Sequence, residues 1–246
     1  MSISDSDLIE YLSSVAGSTG GAISGSSVVS GVPNNVNPNV LEAARLAGGT
    51  DYRLTYWKNT NGVDAAIKPV VFIPVFPLSE TLLIGIGVGG ANDTDTLQGN
   101  MTAWTAPAAV SLTSSTAGDV RLVTIFGMDN SGTPVPVTEV VTLTGTSEVL
   151  SVNVYSKVWS VSVGALDGAR TVTVKQGAAG TVRGSIGPNK QVCWLWVSAG
   201  VSKGAGIALP NLAPNQAYAI WRKLSWIAGA ATRRPNTQTI RIEENQ

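Results

Sequence analysis

Valine and threonine alternate through the middle of this chain, and that alternation constrains its fold more than any other feature. In residues 139–164, EVVTLTGTSEVLSVNVYSKVWSVSVG, Val141 and Leu143 alternate with Thr142 and Thr144. A period of two puts one set of side chains on a buried face of a strand and the other set on its outer face. Gly145 and Thr146 interrupt the run, Val152 and Val154 resume it, and Trp159, Val161 and Val163 continue it. The apolar parity changes between Val154 and Trp159. A strand changes faces only at a bend or bulge, so the pattern predicts three short antiparallel strands with a break near Ser156 and Lys157. Threonines occupy the outer faces where lysines and glutamates are usual.

The same texture extends along the chain. Charged residues make up 13% of the 246, about half the usual ~25%. Glycine (27) and proline (12) are spread along the whole length, and hydrophobic residues make up 43%. This is the composition of a folded chain, long enough for one large β domain or two small ones. In TDYRLTYWKNTNG, Tyr52, Leu54 and Tyr56 alternate on one side and NTNG supplies a turn. Residues 65–76 are strand-like, but Pro69, Pro74 and Pro77 confine them to an edge or cut them into pieces. Further strands are expected at 81–86, 101–104, 218–226 and 237–243, with turns at Pro210–Asn211 and Pro214–Asn215. The class is all-β.

Helical signals are confined to the N-terminus. Ser4 or Ser6 caps a short helix there, with Asp5 and Asp7 favourable at its positive end. Leu8, Ile9, Tyr11 and Leu12 form its apolar stripe. A Gly/Ser-rich stretch follows at 13–31, yet it carries Val15, Ile23, Val28 and Val29, which a simple linker does not need. Residues 1–48 therefore read as an arm that orders against a partner.

Reactive chemistry is sparse. The chain has no histidine, which removes Ser-His-Asp triads, histidine metal sites and the usual general base. Its one cysteine, Cys193, lies in the apolar run QVCWLWV and reads as a small core residue. Asp93 and Asp95 offer hard oxygen donors for calcium, but their spacing is not that of an EF-hand, and a solvated loop is favoured. GIGVGG at 85–90 fits the dinucleotide fingerprint, but no amphipathic helix follows to hold a pyrophosphate, so it reads as a tight turn. Arg233 and Arg234 suit a loop tip or a rim contact. Four of the seven tryptophans lie beyond residue 180, where core positions compete with sugar platforms. No catalytic residue, cofactor or metal site is assigned. The N-terminus is acidic without a continuous apolar stretch, so no signal peptide is expected, and no segment approaches the ~20 apolar residues of a membrane span. The sequons at Asn92 and Asn100 are accordingly expected to stay unglycosylated.

Charge is uneven along the chain. Residues 1–150 hold five Lys/Arg and thirteen Asp/Glu, and residues 151–246 hold eleven and three, for a net charge of zero. Such polarity favours head-to-tail association of copies, or partners of opposite sign at the two ends, unless the two halves interleave on folding.

Three segments resemble virion structural proteins of tailed bacteriophages. TDYRLTYWKNTNG with its following strand resembles their N-terminal strand pair. LAPNQAYAIWRKLSWIAGAATRRPNTQTIRIEE resembles their C-terminal part, with its Ile-Trp-Arg-Lys strand, Ala-Gly-Ala turn and final strand. VTEVVTLTGTSEVLSVNVYSKVWSVSVG resembles a threonine-rich β module common among them. Together these cover about half the chain, and Leu224–Ser225–Trp226 departs from the Thr-Val-Pro that such proteins carry there.

The resemblance implies an antiparallel β-sandwich made of residues 49–117 and 177–246. It places an inserted Thr/Val-rich β domain at 118–176 and an extended arm at 1–48. It implies a non-enzymatic virion protein, most concretely a capsid decoration (cement) protein assembled in the bacterial host cytoplasm. The partners it implies are the major capsid protein or other virion proteins. It also implies a homo-oligomer, a trimer for preference, with no membrane or nucleic acid as partner. Leu8, Ile9, Tyr11 and Leu12 would anchor the arm, and Arg233 and Arg234 would make rim contacts. A neck, tail or head-fibre component and a carbohydrate-binding adhesion module remain open. A glycosidase would need two carboxyls roughly 5–10 Å apart in a cleft, and the sequence nominates no such pair.

Overall fold

The computed structural model describes residues 3–29, 36–37, 40–75, 80–87, 98–131, 135–165, 167–229 and 239–244. The chain begins with β1 (Leu8–Ser13), β2 (Ile23–Ser27), a short helix α1 (Glu42–Ala47), β3 (Gly49–Asn59), β4 (Val70–Val75) and β5 (Glu80–Gly87). Next come β6 (Gln98–Met101), β7 (Ala108–Ser114), β8 (Leu122–Asp129), β9 (Pro136–Thr142) and β10 (Val149–Val163). They lead into β11 (Val172–Gln176), β12 (Thr181–Ile186) and β13 (Val192–Leu195). The last strands are β14 (Ile207–Ala208), β15 (Ala217–Trp226) and β16 (Thr239–Glu243). The all-β class expected from the alternation is observed.

The chain forms two compact units. One comprises Met1–Gly85, Gly89–Asn92 and Val197–Gln246, the other Ile86–Val88 and Asp93–Trp196. The inserted unit is therefore wider than the 118–176 that the resemblance implied. The reason is pairing: β7 lies between β10 and β11, and β12 and β13 complete the same sheet, although their composition differs from the Thr/Val block. Residues 1–48, expected as a separate arm, carry two strands of the outer unit's sheet.

In the outer unit, a five-stranded sheet has the order β2-β1-β3-β15-β5 and a three-stranded sheet has the order β14-β4-β16. β3 and β15 pair antiparallel along their length, from Ala217 opposite Lys58 to Trp226 opposite Gly49. Of the three residues expected on one side, Leu54 and Tyr56 are buried and Tyr52 is half-buried, but Thr55, Trp57 and Asn59 on the other face are buried too. A strand covered on both faces loses the one-sided pattern. The NTNG turn forms as expected. Asn59 Nδ2 donates to the Asp64 carbonyl at 2.8 Å, and Asn61 Oδ1 accepts from the amides of Val63 and Asp64 at 2.8 Å each. The prolines of 65–76 act differently from expectation. β4 sits in the middle of its sheet, and Pro74 falls where the register with β16 shifts between the Thr239–Val75 and Arg241–Phe72 pairs. A bulge accommodates a residue without an N–H.

The expected N-terminal helix is not formed. The Asp7 carboxylate accepts from the Ser4 amide at 2.9 Å, but the turn it caps ends after Asp5–Asp7. Leu8–Ser13 instead runs as β1 against β3, with Leu8 opposite Asn59 and Leu12 opposite Thr55. A short isolated helix is marginal, and a free sheet edge offers a ladder of hydrogen bonds that outweighs it.

In the inserted unit, β13-β6-β12-β11-β7-β10-β8-β9 form one sheet, antiparallel except for the β13–β6 pair, and β13 also pairs with β10. That last pairing closes the strands from β13 to β10 into a barrel, from which β8 and β9 extend. Val110, Leu112, Tyr155, Trp159, Val161, Val172 and Val174 are fully buried. β10 is one strand of 15 residues where the sequence suggested two. Its register shifts between Tyr155 and Lys157 and again between Val158 and Ser160, the first at the expected break. Before that break the faces are opposite to those expected: Ser151 and Tyr155 are buried, whereas Val152 is 91% exposed. Gly127 on β8 makes the bulge possible, since a Cβ there would collide with the Lys157 carbonyl and the Tyr155 ring.

Candidate interaction surfaces

The four arm residues all lie on β1, which packs on the chain's own sheet. Leu8 is buried, and Ile9, Tyr11 and Leu12 are half-buried. Among them Glu10, which sequence reasoning passed over, forms an ion pair with Arg222 of β15; the side chains are 10% and 5% exposed. The alternation of Leu8, Glu10 and Leu12 on one strand face was the signal to find it, hidden by the helical reading. Further ties come from Thr60, whose amide and hydroxyl donate to the Asp7 carbonyl at 2.7 and 3.0 Å, and from the Tyr56 hydroxyl, which donates to the Gly21 carbonyl. Arg233, Arg234, Asp93 and Asp95 lie outside the described residues. Gly85 and Gly87 of the GIGVGG motif belong to β5, and positions 88–90 lie outside the described residues.

Two carboxylates of the inserted unit, the buried Asp119 and the half-buried Glu139, are engaged in holding the chain together. Asp119, fully buried, pairs with Arg121 at 2.7 Å and with Arg170 at 3.5 Å, and accepts from the Ser114 hydroxyl at 2.6 Å. The Arg121 guanidinium holds its carboxyl well below the usual carboxylate range, against the opposing effect of burial. Glu139 reaches from β9 to the start of β10, accepting from the amides of Val152 at 2.6 Å and Asn153 at 3.1 Å. Burial pushes that carboxyl up, and these amides outweigh it, so its pKa lies below the ordinary value. Lys157 lies 3.7 Å from the centroid of the Trp159 ring, and burial pushes its ammonium down to about 8. The ring face attracts the cation and works in the opposite direction. Cys193 is fully buried, and burial pushes its thiol up to about 12, as fits the core role expected of it.

Trp57, Trp104, Trp159, Trp194 and Trp221 are buried, and Trp196 and Trp226 are half-buried. None of the seven is a flat exposed platform. Among the described residues, no three His, Cys, Asp or Glu side chains gather as a metal-binding group. A cleft of about 310 Å³ in the outer unit is lined by Leu8, Trp57, Ile240, Arg241, Ile242 and Glu243. It lies between the two sheets of that unit and offers one acidic and one basic side chain beside apolar walls.

The open surface is at the end of the inserted unit's sheet. β9 has one neighbour, β8, among the described residues, and pairs with it in unbroken register from Leu122–Thr142 to Met128–Pro136. On the shared outer face stand Leu122, Thr124 and Met128 of β8, with Phe126 buried among them, and Pro136, Thr138, Val140 and Thr142 of β9. None of these carries a charge. Leu122 is 53% exposed and Val140 57%. Compared with known proteins, the chain matches no family model, no curated protein and no solved structure.

Proposed function

We propose that this protein is a non-enzymatic structural component of a tailed-phage virion, most concretely a capsid decoration protein that acts by covering surface. One observation carries the reading. The stretches that bear the N-terminal and C-terminal resemblance, far apart in sequence, include the paired strands β3 and β15. A resemblance split across the chain thus falls on one structural unit. The uncharged outer face of β8 and β9 suits contacts that become permanently covered. Asp119 and Glu139 are taken up by arginines and backbone amides, which suits a structural role for both. Partners under this reading are the major capsid protein, other virion proteins and further copies of the chain.

The test is a cryo-EM map of particles produced by the genome that encodes this chain, with copy number from quantitative mass spectrometry. Decoration predicts hundreds of copies on the outer shell. Six or twelve copies would move the protein to the neck or tail, and absence from the particle would overturn the virion reading.

A further inference from the structure

We propose that β9 is a self-pairing edge, through which two copies of this protein join antiparallel across a two-fold axis centred on Val140. Such a dimer forms whether or not the chain belongs to a virion. The Asp129 amide donates to the Val135 carbonyl at 3.1 Å, and the Leu143 amide donates to the Arg121 carbonyl at 3.0 Å. Odd-numbered residues along β9 therefore turn their backbone polar groups to β8. In an extended strand the intervening residues turn theirs the other way. Thr138, Val140 and Thr142 thus present N–H and C=O groups at an edge that no strand borders among the described residues.

An open strand edge is a template for another strand, and the residues of β9 specify which one. With Val140 opposite Val140 of the partner subunit, Thr138 meets Thr142 of the partner subunit and the reverse. At each of these pairs the two residues exchange both hydrogen bonds. Pro136, which has no N–H to give, falls beyond the paired stretch. Centring the pair on Thr138 or Glu139 instead brings Pro136 into the ladder and loses bonds. Centring it on Val141 or Thr142 draws in Thr144, which is already bridged to Ser147. The matched side chains are Val with Val and Thr with Thr, pairs that antiparallel sheets favour. Charge also fits a like copy. The outer face carries none, and Glu139, the one charged residue of β9, is turned inward onto the amides of Val152 and Asn153. A charged partner would find nothing there to complement it. An isologous contact of this kind gives a closed dimer.

The test uses the full-length protein in sedimentation velocity from micromolar to near-millimolar concentration. Self-association is expected. Val140→Pro removes the central N–H from the edge, where no strand among the described residues takes it up, and is expected to weaken association by about tenfold or more. Val140→Lys leaves the backbone unchanged and is expected to weaken association similarly, which keeps the test open if the proline variant fails to fold. Val140→Cys is expected to cross-link to itself under mild oxidation, because hydrogen-bonded pairs hold Cα atoms about 5.5 Å apart. A mixture of Thr138→Cys and Thr142→Cys is expected to cross-link faster than either alone. Cys193, fully buried, does not compete. A protein that stays monomeric throughout, or a dimer that both Val140 variants leave intact and Val140→Cys does not cross-link, overturns the proposal.

Discussion

β2 and β9 each end a sheet, and they end it differently. β2 pairs with β1 through a register that shifts between Tyr11 and Ser13, so Ser24 to Ser26 bow away from the ladder. The Ser24 hydroxyl turns back on its own strand, donating to the Ser26 carbonyl at 3.3 Å and accepting from the Ser26 amide at 3.1 Å. That edge is blunted by a bulge, a device that keeps strands from pairing with other chains. β9 keeps a regular register. Both edges are poor in charge, so composition alone does not separate them. What separates them is whether a side-chain oxygen occupies the backbone. Serine at Ser24 does so, whereas valine at Val140 has no atom that can.

The two edges also depend on different buried charges, and removing those should produce the largest effects. Glu10→Ala leaves Arg222 without its partner at 5% exposure. Breaking a buried pair in this way costs about 3–5 kcal/mol. Hydrogen exchange at β3 amides should accelerate accordingly, while β10 amides stay protected. Replacing both partners, with Glu10→Leu and Arg222→Met, should recover most of the loss. If Glu10→Ala proves silent, β1 is not seated on this sheet and the edge at β2 is not the real edge. Deleting residues 1–31 would remove both β1 and β2 from this sheet, so it tests the fold and not partner binding.

Asp119→Asn should cost nearly as much in the inserted unit, about 3 kcal/mol, because Arg121 loses its bidentate partner. The pH dependence has a definite sign. The folded carboxyl is held below its ordinary 3.8, so its stabilisation is present above about pH 4 and is lost as pH falls further. Exchange at β10 amides should therefore rise below about pH 4 in the natural protein. The Asn variant should start less stable and show a flatter acid limb. An equally steep limb in the variant would mean another carboxylate governs acid unfolding.

The sequence made the all-β class legible because alternation at Val141 and Leu143 is a local signal. It placed β5, β15 and much of β16 within a residue or two, and the break expected near Ser156 and Lys157 coincides with a register shift, although the parity change it was drawn from does not hold. It missed β1 because Leu8, Ile9, Tyr11 and Leu12 satisfy a helical stripe as well as a strand, and only β3 decides between them. It reversed the faces of Val152 and Val154 because polar Ser151 is buried, its hydroxyl accepting from the Val110 amide at 2.8 Å. Barrel closure by β13 on β10 leaves no mark on either strand's composition, so the pattern carried no bounds for the inserted unit and the 118–176 came from the resemblance alone. The open edge was equally hidden: the Thr/Val run announces strands, but their order in a sheet depends on distant partners.

Glu139 joins the open edge to the barrel, and its loss should cost less than that of the arginine-bound carboxylates. Glu139→Gln keeps one acceptor but turns an amide NH₂ toward the donors of Val152 and Asn153. The expected loss is about 1–3 kcal/mol, read as faster exchange at Val152 and Asn153 with β3 unaffected. Self-association through β9 should weaken as well, since the edge loses its brace. Unchanged exchange at both amides would detach the edge from the barrel's stability.

The smallest effects compare the two edges directly. Val140→Lys, measured dilute enough to be monomeric, should change stability by no more than about 0.5 kcal/mol, as befits an exposed site. Gly25→Ala at the centre of β2 should be slightly stabilising, by about 0.4–1 kcal/mol, through the reduced freedom of the unfolded chain. A Cβ built at Gly25 meets nothing within 4 Å, so the substitution carries no steric cost in the isolated protein. The informative measurement repeats both at high concentration. Val140→Lys should then fall behind the natural protein, because the natural dimer gains stability by mass action, whereas Gly25→Ala should keep its small advantage. If Gly25→Ala becomes the variant whose stability depends on concentration, the bulge at Ser24–Ser26 is a contact surface and β9 is the idle edge.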